Sequence, residues 1–422
     1  LANKEIGALE SEIADAICQA ADEILEGKMY DEFPIDVFQG GGGTSTNMNA
    51  NEVIANKANE ILTGNKGYDM VHPNTHVNMG QSTNDVIPSA MKLASYQYLE
   101  ELIEETKKLE VVLNEKKNEF KNIVKLGRTC LQDAVPLTLG QEFSGYAHFT
   151  NRQIDKLEKI KSKFVDIPLG ATAVGTELST FTGYTEYVYT YLAEVSGIPV
   201  TKEENFFDGL QNGDIYIEAS SAIKSLATGL SKMATDLRIL SSGPRTGFNE
   251  IRLPAVQPGS SIMPGKVNPV IPELINQICY KICGNDLATT MAVEGGELDL
   301  NVWEPVIINC LFESFKLLQN GIPIFIEKCI KDIKANEDIC REYAESSIAL
   351  STVIASLFDY ESGSRVAKKA ASENKSIKEV VLELELLSQE EADKYLDPML
   401  LTNPEQSAEI LKNAHLQIVK CK

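Results

Sequence analysis

Ile87–Phe120 reads IPSAMKLASYQYLEELIEETKKLEVVLNEKKNEF. Met91, Ala94, Leu99, Leu102, Leu109 and Val112 recur at helical spacing with charged residues between them, which is the apolar face of one long helix. The pattern stops at Gly127–Pro136, resumes from Leu139 to Phe164, stops at Pro168 and Gly170, and returns from Ile215 to Leu240. It then covers Ile271–Ile282 and Val302–Ile333, where Pro323 is expected to kink or break the helix. Upstream, Ile6–Leu25 carries the same spacing (Ile6, Leu9, Ile13, Ile17, Ala21, Ile24). Alternation of the strand type is nearly absent, so the fold class is mainly α, built on a central bundle of long helices. A helix of about thirty residues spans about 45 Å, more than a compact monomer needs. Such helices bury their apolar faces more easily against other subunits. From about Asn336 the helical units shorten and charge density rises. The reading is therefore an N-terminal helical domain over 1–81, the bundle over 82–337 and a small C-terminal helical domain over 338–422.

Composition narrows the partners. The 422 residues hold 39 Lys+Arg against 61 Asp+Glu, a formal charge of −22, which argues against a nucleic-acid or anionic-membrane partner. An anionic substrate then has to be captured by local donors. The eight cysteines form no CxxC pair and no Cys/His cluster of zinc spacing, and they sit mostly in helical pattern. They predict a reducing, cytoplasmic setting. No secretory leader and no apolar run long enough for a bilayer are present in the sequence. The sequence opens at Leu1 inside helix-like pattern, so the natural chain is expected to begin further upstream.

The chemistry is concentrated in the breaks. Gly259–Pro269 reads GSSIMPGKVNP and packs Ser260, Ser261, Lys266 and Asn268 between two glycines. A hydroxyl beside exposed backbone N–H groups can be stabilised as an oxyanion and act as a base or nucleophile. The same residue types also make ordinary turns. QGGGGTSTNMNANEV (39–53) places four glycines before Thr44, Ser45, Thr46 and Asn47, with a helix expected to start near Ala50. A helix start preceded by such donors suits a carboxylate, and the ending is not that of a P-loop. HPNTHVNMGQSTND (72–85) sets Ser82, Thr83 and Asn84 before the long helix. His72 and His76 lack a third ligand nearby, so surface or supporting roles fit them better than a metal site. GRTCLQDAVP (127–136) holds Arg128, Thr129, Gln132 and Asp133 in a short break.

Taken in order, these four stretches resemble the signature segments of the aspartase/fumarase superfamily. GATAVGTEL (170–178) and SSGPRTGFNEI (241–251) match it too, so the resemblance covers nearly the whole sequence. NPVIPELINQ after Lys266 and LDLNVWEPV (298–306) are more similar to the ammonia-eliminating branch than to the hydratase branch. The resemblance implies an elongated helical subunit of three domains, a homotetramer whose central helices form one bundle, and active sites each shared by three subunits. It implies elimination of ammonia from L-aspartate to give fumarate, with no organic cofactor and no metal. Carried over by position, Ser260 is the general base at C3 and Lys266 its electrostatic helper. Thr44, Ser82, Thr83 and Thr129 would donate to one carboxylate, Lys266 and Asn268 to the other, and Asn84 would hold the amino group. Ser261 and Cys130 complete the expected substrate contacts.

Three departures stand out. Cys130 follows Arg-Thr where the family often has a histidine, which in the fumarases is paired with a glutamate matching Glu273 here. A thiol there is weakly polar and, if unactivated, neutral at pH 7. It weakens a fumarase reading more than an ammonia-lyase reading and leaves open a changed amine specificity. Thr75 replaces an aspartate of a secondary anion site, and SLFDYESG (356–363) differs from the usual form. The alternatives are a fumarase or another amine lyase on the same scaffold, told apart by L-malate against L-aspartate, and a catalytically silent helical scaffold.

Overall fold

The computed structural model describes residues 1–409 and residue 412. Helices dominate, and the long ones are Thr83–Glu119, Leu139–Lys161, Asp214–Leu240, Val270–Glu294 and Glu304–Lys328. The expected mainly α class holds. The Thr83–Glu119 helix opens on Ser82, whose Oγ accepts from the Asn84 N–H at 3.2 Å, while the Ser82 N–H donates to Asp85 Oδ1 at 2.8 Å. Among the described residues no helix is long and apolar enough to cross a membrane.

Several expectations are corrected. The helix expected near Ala50 starts at Thr44, directly after Gly43 at φ +87°, so the Thr-Ser-Thr-Asn run forms its first turn. Ile6–Leu25 is not one helix, because Gly7 turns the chain at φ +72° between Ala2–Glu5 and Ser11–Leu25. Pro323 does not end its helix, which continues to Lys328. Ile322, Phe325 and Ile326 around it are buried, and that burial outweighs a proline cost of about 3 kcal/mol. The helix after the central loop runs to Glu294, well past Ile282. The break at 127–136 is a hairpin, Val124–Thr129 against Gln132–Thr138, so Cys130 sits on a turn and not in a helix.

The chain divides into two compact units. The first comprises Leu1–Glu105, Gln153–Thr228 and Gln277–Asn320. It contains an N-terminal core of Ile13, Ala16, Ala20, Ala55, Ala58 and Val71. A second cluster, Ile167, Leu169, Ile198 and Val200, packs at the two-residue parallel pairing of Asp166–Ile167 with Thr201–Lys202. Tyr98 packs its ring on Phe312 and Phe315, with centroids at 4.7 and 5.6 Å. The other unit comprises Thr106–Arg152, Gly229–Asn276 and the chain from Gly321 onward. It holds the hairpin, the Ile251–Arg252 and Lys334–Ala335 pairing, and a separate helical core that includes Val353, Ile354, Leu357, Val366, Val380 and Val381. Cys310, Cys329 and Cys340 are buried and Cys130 is exposed. Cys421 lies outside the described residues.

Candidate active site

In the second unit, Gly259–Pro269 is a closed loop with a tight neck. The Gly259 N–H donates to the Lys266 carbonyl at 2.7 Å, and Asn268 Nδ2 donates to the Gly259 carbonyl at 2.9 Å. A Cβ on Gly259 would stand 2.8 Å from both Asn268 N and Lys266 O, so only glycine closes this neck. Inside the loop, Ser260 Oγ accepts from the Ile262 N–H at 3.2 Å and the Met263 N–H at 3.1 Å. Hydrogen bonds to the charged form favour it, so donors placed on this oxygen lower the cost of deprotonating it. Ser261 and Lys266 are exposed. A cavity of about 790 Å³ lies beside the loop, lined by Lys266, Asn268, Arg238, Ser241 and Glu273 among others. Glu273 has Arg238 as its cation, at 3.9 Å.

The hairpin of the same unit presents Thr129 and Cys130 at its exposed tip. Its preceding residue, Arg128, is a structural anchor. Arg128 Nη1 donates to Glu250 Oε1 at 2.9 Å, and the guanidinium lies over Phe248 at 4.2 Å. Lys125 Nζ reaches Glu142 at 2.8 Å and stands 3.3 Å from Glu250 Oε2, a charge contact without aligned hydrogen-bond geometry. Glu250 is fully buried.

The first unit gathers Thr44, Ser82, Thr83 and Asn84. The Thr44 hydroxyl donates to the Gly41 carbonyl at 2.8 Å, so it must rotate to serve a ligand. Ser82 and Thr83 use their hydroxyl oxygens as acceptors, from Asn84 N–H and from Asn47 Nδ2 at 3.1 Å, which leaves their hydrogens for an anion at the N-terminus of the long helix. Asn84 Nδ2 donates to the Ala173 carbonyl at 2.7 Å. Beneath Thr83, the buried Asn47 and Asn51 converge on Asn78 Oδ1 at 3.2 and 3.0 Å. Asp85 is completely buried; burial raises its carboxyl above the ordinary value, while N–H groups from Ser82, Thr172 and Gly170 pull it back.

Asn51, Asn78, Asp85 and Glu250 are the supporting residues that sequence reading passed over, and Asn47, expected among the ligand donors, supports Thr83 and Asn78 instead. The usable signal was Asn47 and Asn51, four apart on one helix face where an apolar residue is usual. His72 and His76 are spent on local structure: His72 Nδ1 accepts from the Asn74 and Thr75 N–H groups, and His76 Nδ1 from the His72 N–H. Among the described residues no three His, Cys, Asp or Glu side chains cluster as metal ligands.

Glu304 is a second buried acid of the first unit, and burial alone holds its carboxyl well above the usual range. A Cβ on Gly42 would lie 3.8 Å from its Oε2, so it sits under the glycine run. The folded chain keeps this proton at pH values where the unfolded chain has lost it. Stability from this site therefore falls as pH rises above the unfolded carboxyl's value of about 4.3. Glu304→Gln is expected to raise stability by about 1–3 kcal/mol at pH 8, and by nothing near pH 4. Urea unfolding at the two pH values checks it; a loss at pH 8 would mean that a cation reaches Glu304.

Comparison with known proteins places the chain in a family. A family model described as "Lyase" matches residues 1–284, and one described as "Fumarase C C-terminus" matches 350–403. The aspartate ammonia-lyase of a Bacillus species is 46% identical over 405 residues, covering 96% of this chain and 86% of that protein. The crystal structure of a fumarate lyase:delta crystallin from Brucella melitensis superposes with a TM-score of 0.92 at 43% identity, covering 96% of this chain and 88% of that one. A class II fumarase from Schistosoma mansoni gives the same TM-score and coverage at 35% identity. With a family model matched over more than half of the chain and a relative 46% identical across 96% of it, the chain belongs to the lyase family of the aspartate ammonia-lyases and fumarases.

Proposed function

We propose that the chain is an L-aspartate ammonia-lyase, a carbon–nitrogen lyase that reversibly converts L-aspartate to fumarate and ammonia. The observation that carries the reading is the pair of backbone N–H groups on Ser260 Oγ. A serine hydroxyl is a poor base in water, and these donors favour its deprotonated form. Ser260 takes the proton from C3, the electron pair passes into the β-carboxylate as an enediolate, and the C2–N bond breaks to release ammonia. The C3 proton is barely acidic, so donors must already be in place where charge develops. Lys266, and the second hydrogen of Asn268 Nδ2, serve one carboxylate; Ser82, Thr83, Thr44 and Thr129 serve the other; Asn84 Oδ1 accepts from the ammonium. Ser261 and Cys130 line the same site.

The groups come together in a homotetramer, each site drawing on three subunits. Support comes from the Val270–Glu294 helix, where Tyr280, Leu287 and Met291 lie exposed at steps of seven and four, an apolar stripe suited to another copy of the chain. The domain boundaries near 81 and 337 are part of the same reading, supported by the separate N-terminal and C-terminal cores. So is a cytoplasmic location, on the buried thiols. Absorbance of fumarate formed by the purified protein from L-aspartate, with L-malate alongside, tests the proposal. A rise with L-aspartate alone is expected. A rise with L-malate alone would make it a fumarase, and silence with both in an intact tetramer would favour another amine or a silent scaffold.

A further inference from the structure

We infer that Asp85 and the loop from Gly170 to Ser179 set the amine preference of the site, by fixing which way the Asn84 side-chain amide faces; this rests on the lyase reading above. The loop is held in an unusual shape. Gly170, Thr172, Gly175, Glu177 and Ser179 all have positive φ, at 102°, 59°, 103°, 57° and 77°. The non-glycine positions are costly in the left-handed region and persist only when their surroundings over-determine them.

Asp85 supplies that constraint at Gly170 and Thr172. Its Oδ2 accepts from the Gly170 N–H at 3.0 Å and the Thr172 N–H at 2.9 Å, while its Oδ1 holds the Ser82 N–H at 2.8 Å. One buried carboxylate thus ties the loop to the start of the long helix. Tyr189 fixes the loop's approach, its hydroxyl 2.8 Å from both the Ile167 and Leu169 carbonyls. The result is an Ala173 carbonyl set 2.7 Å from Asn84 Nδ2.

That contact decides what Asn84 offers a ligand. A flipped amide would face Oδ1 against the Ala173 carbonyl, two acceptors at hydrogen-bond distance, so the flip is excluded. Oδ1 is left on the open side as an acceptor, which suits an ammonium and not a group that needs a donor. Asp85 touches no substrate in this account; it is a positioning residue.

The reverse reaction separates this role from a general structural one, because fumarate carries no amine. In Asp85→Asn one oxygen becomes an NH2 that must face either the Gly170 and Thr172 N–H groups or the Ser82 N–H, so the tie between the loop and the helix start is lost whichever way the amide turns. The KM for ammonium and for L-aspartate is expected to rise roughly tenfold, with the KM for fumarate rising by no more than about threefold through the Ser82 N–H that Asp85 also holds, and glutamyl endopeptidase should cut faster after Glu177. Asn84→Ser, which leaves Asp85 and its bonds in place, should give the same split and covers the case in which Asp85→Asn does not fold. Ammonium and fumarate KM values rising by the same factor in either variant would overturn the inference, as would an unchanged ammonium KM in Asp85→Asn. Failure of the lyase reading itself would show separately, as an unmodified protein that makes no fumarate from L-aspartate.

Discussion

Ser260→Ala is expected to lower kcat for fumarate formation by roughly a thousandfold or more, with the thermal midpoint of the protein lowered by no more than about 2 °C. The loss is large because nothing else inside the loop can take the proton. Ser261 has its own hydroxyl on exposed chain, but the backbone N–H groups of Ile262 and Met263 converge on Ser260 Oγ alone. Removing one preorganised oxyanion donor costs roughly a hundredfold to a thousandfold in well-studied hydrolases; here the oxygen that two donors serve is itself removed. The cost to the fold is small by comparison. Ser260 is only partly buried, and the neck is closed by Gly259, Lys266 and Asn268, none of which uses the Ser260 side chain. Loss of the turn bonds to Ser260 Oγ is worth about 1 kcal/mol and is confined to an exposed loop. Initial rates from fumarate absorbance, beside a melting curve, decide the matter. A variant within tenfold of the unmodified rate would remove Ser260 from the role of base.

What could be read from the sequence was whatever the chain states locally. The long helices declare themselves because their apolar faces repeat over many turns, and Ile87–Phe120 falls within three or four residues of the helix found. Thr44, Ser82, Ser260 and Lys266 stand in runs of small polar residues that have no packing reason to be there. The hairpin was missed because its turn breaks the usual code. Cys130 and Leu131 both have positive φ, at 54° and 57°, and close a two-residue turn that normally takes Asn-Gly. The C–L pair gives no such signal, and the strand residues around it alternate poorly. Pro323 misled for the opposite reason: a strong local signal was overruled by the burial of its neighbours. The supporting shell was illegible because its partners are distant in sequence. Asp85 is 85 and 87 residues from the Gly170 and Thr172 N–H groups it accepts from, and Glu250 is 122 residues from Arg128.

The second large effect is expected at Glu250, where Glu250→Ala should cost about 3 kcal/mol of stability, at the low end of what breaking a buried ion pair costs. Glu250 is fully buried, Lys125 nearly so, and Arg128 largely so. Taking away the carboxylate leaves two cations in low dielectric. Lys125 still has Glu142 at 2.8 Å, and Arg128 still lies over Phe248 at 4.2 Å and Tyr343 at 5.5 Å, which is why the cost stays at the low end. Glu250→Gln keeps an acceptor for Arg128 but not the charge, and should cost less. The decisive variant is the double Arg128→Leu, Glu250→Leu. Removing both partners removes the uncompensated charge of Arg128, so the double should be more stable than the single Glu250→Leu, a non-additivity that a mere packing defect would not produce. Urea midpoints for the singles and the double measure this directly. Because this network anchors the strand that ends in Thr129 and leads into the turn at Cys130, Glu250→Ala should also weaken L-aspartate binding under conditions where it is still folded, whereas a midpoint equal to that of the unmodified chain would show that the hairpin is held by its ladder alone.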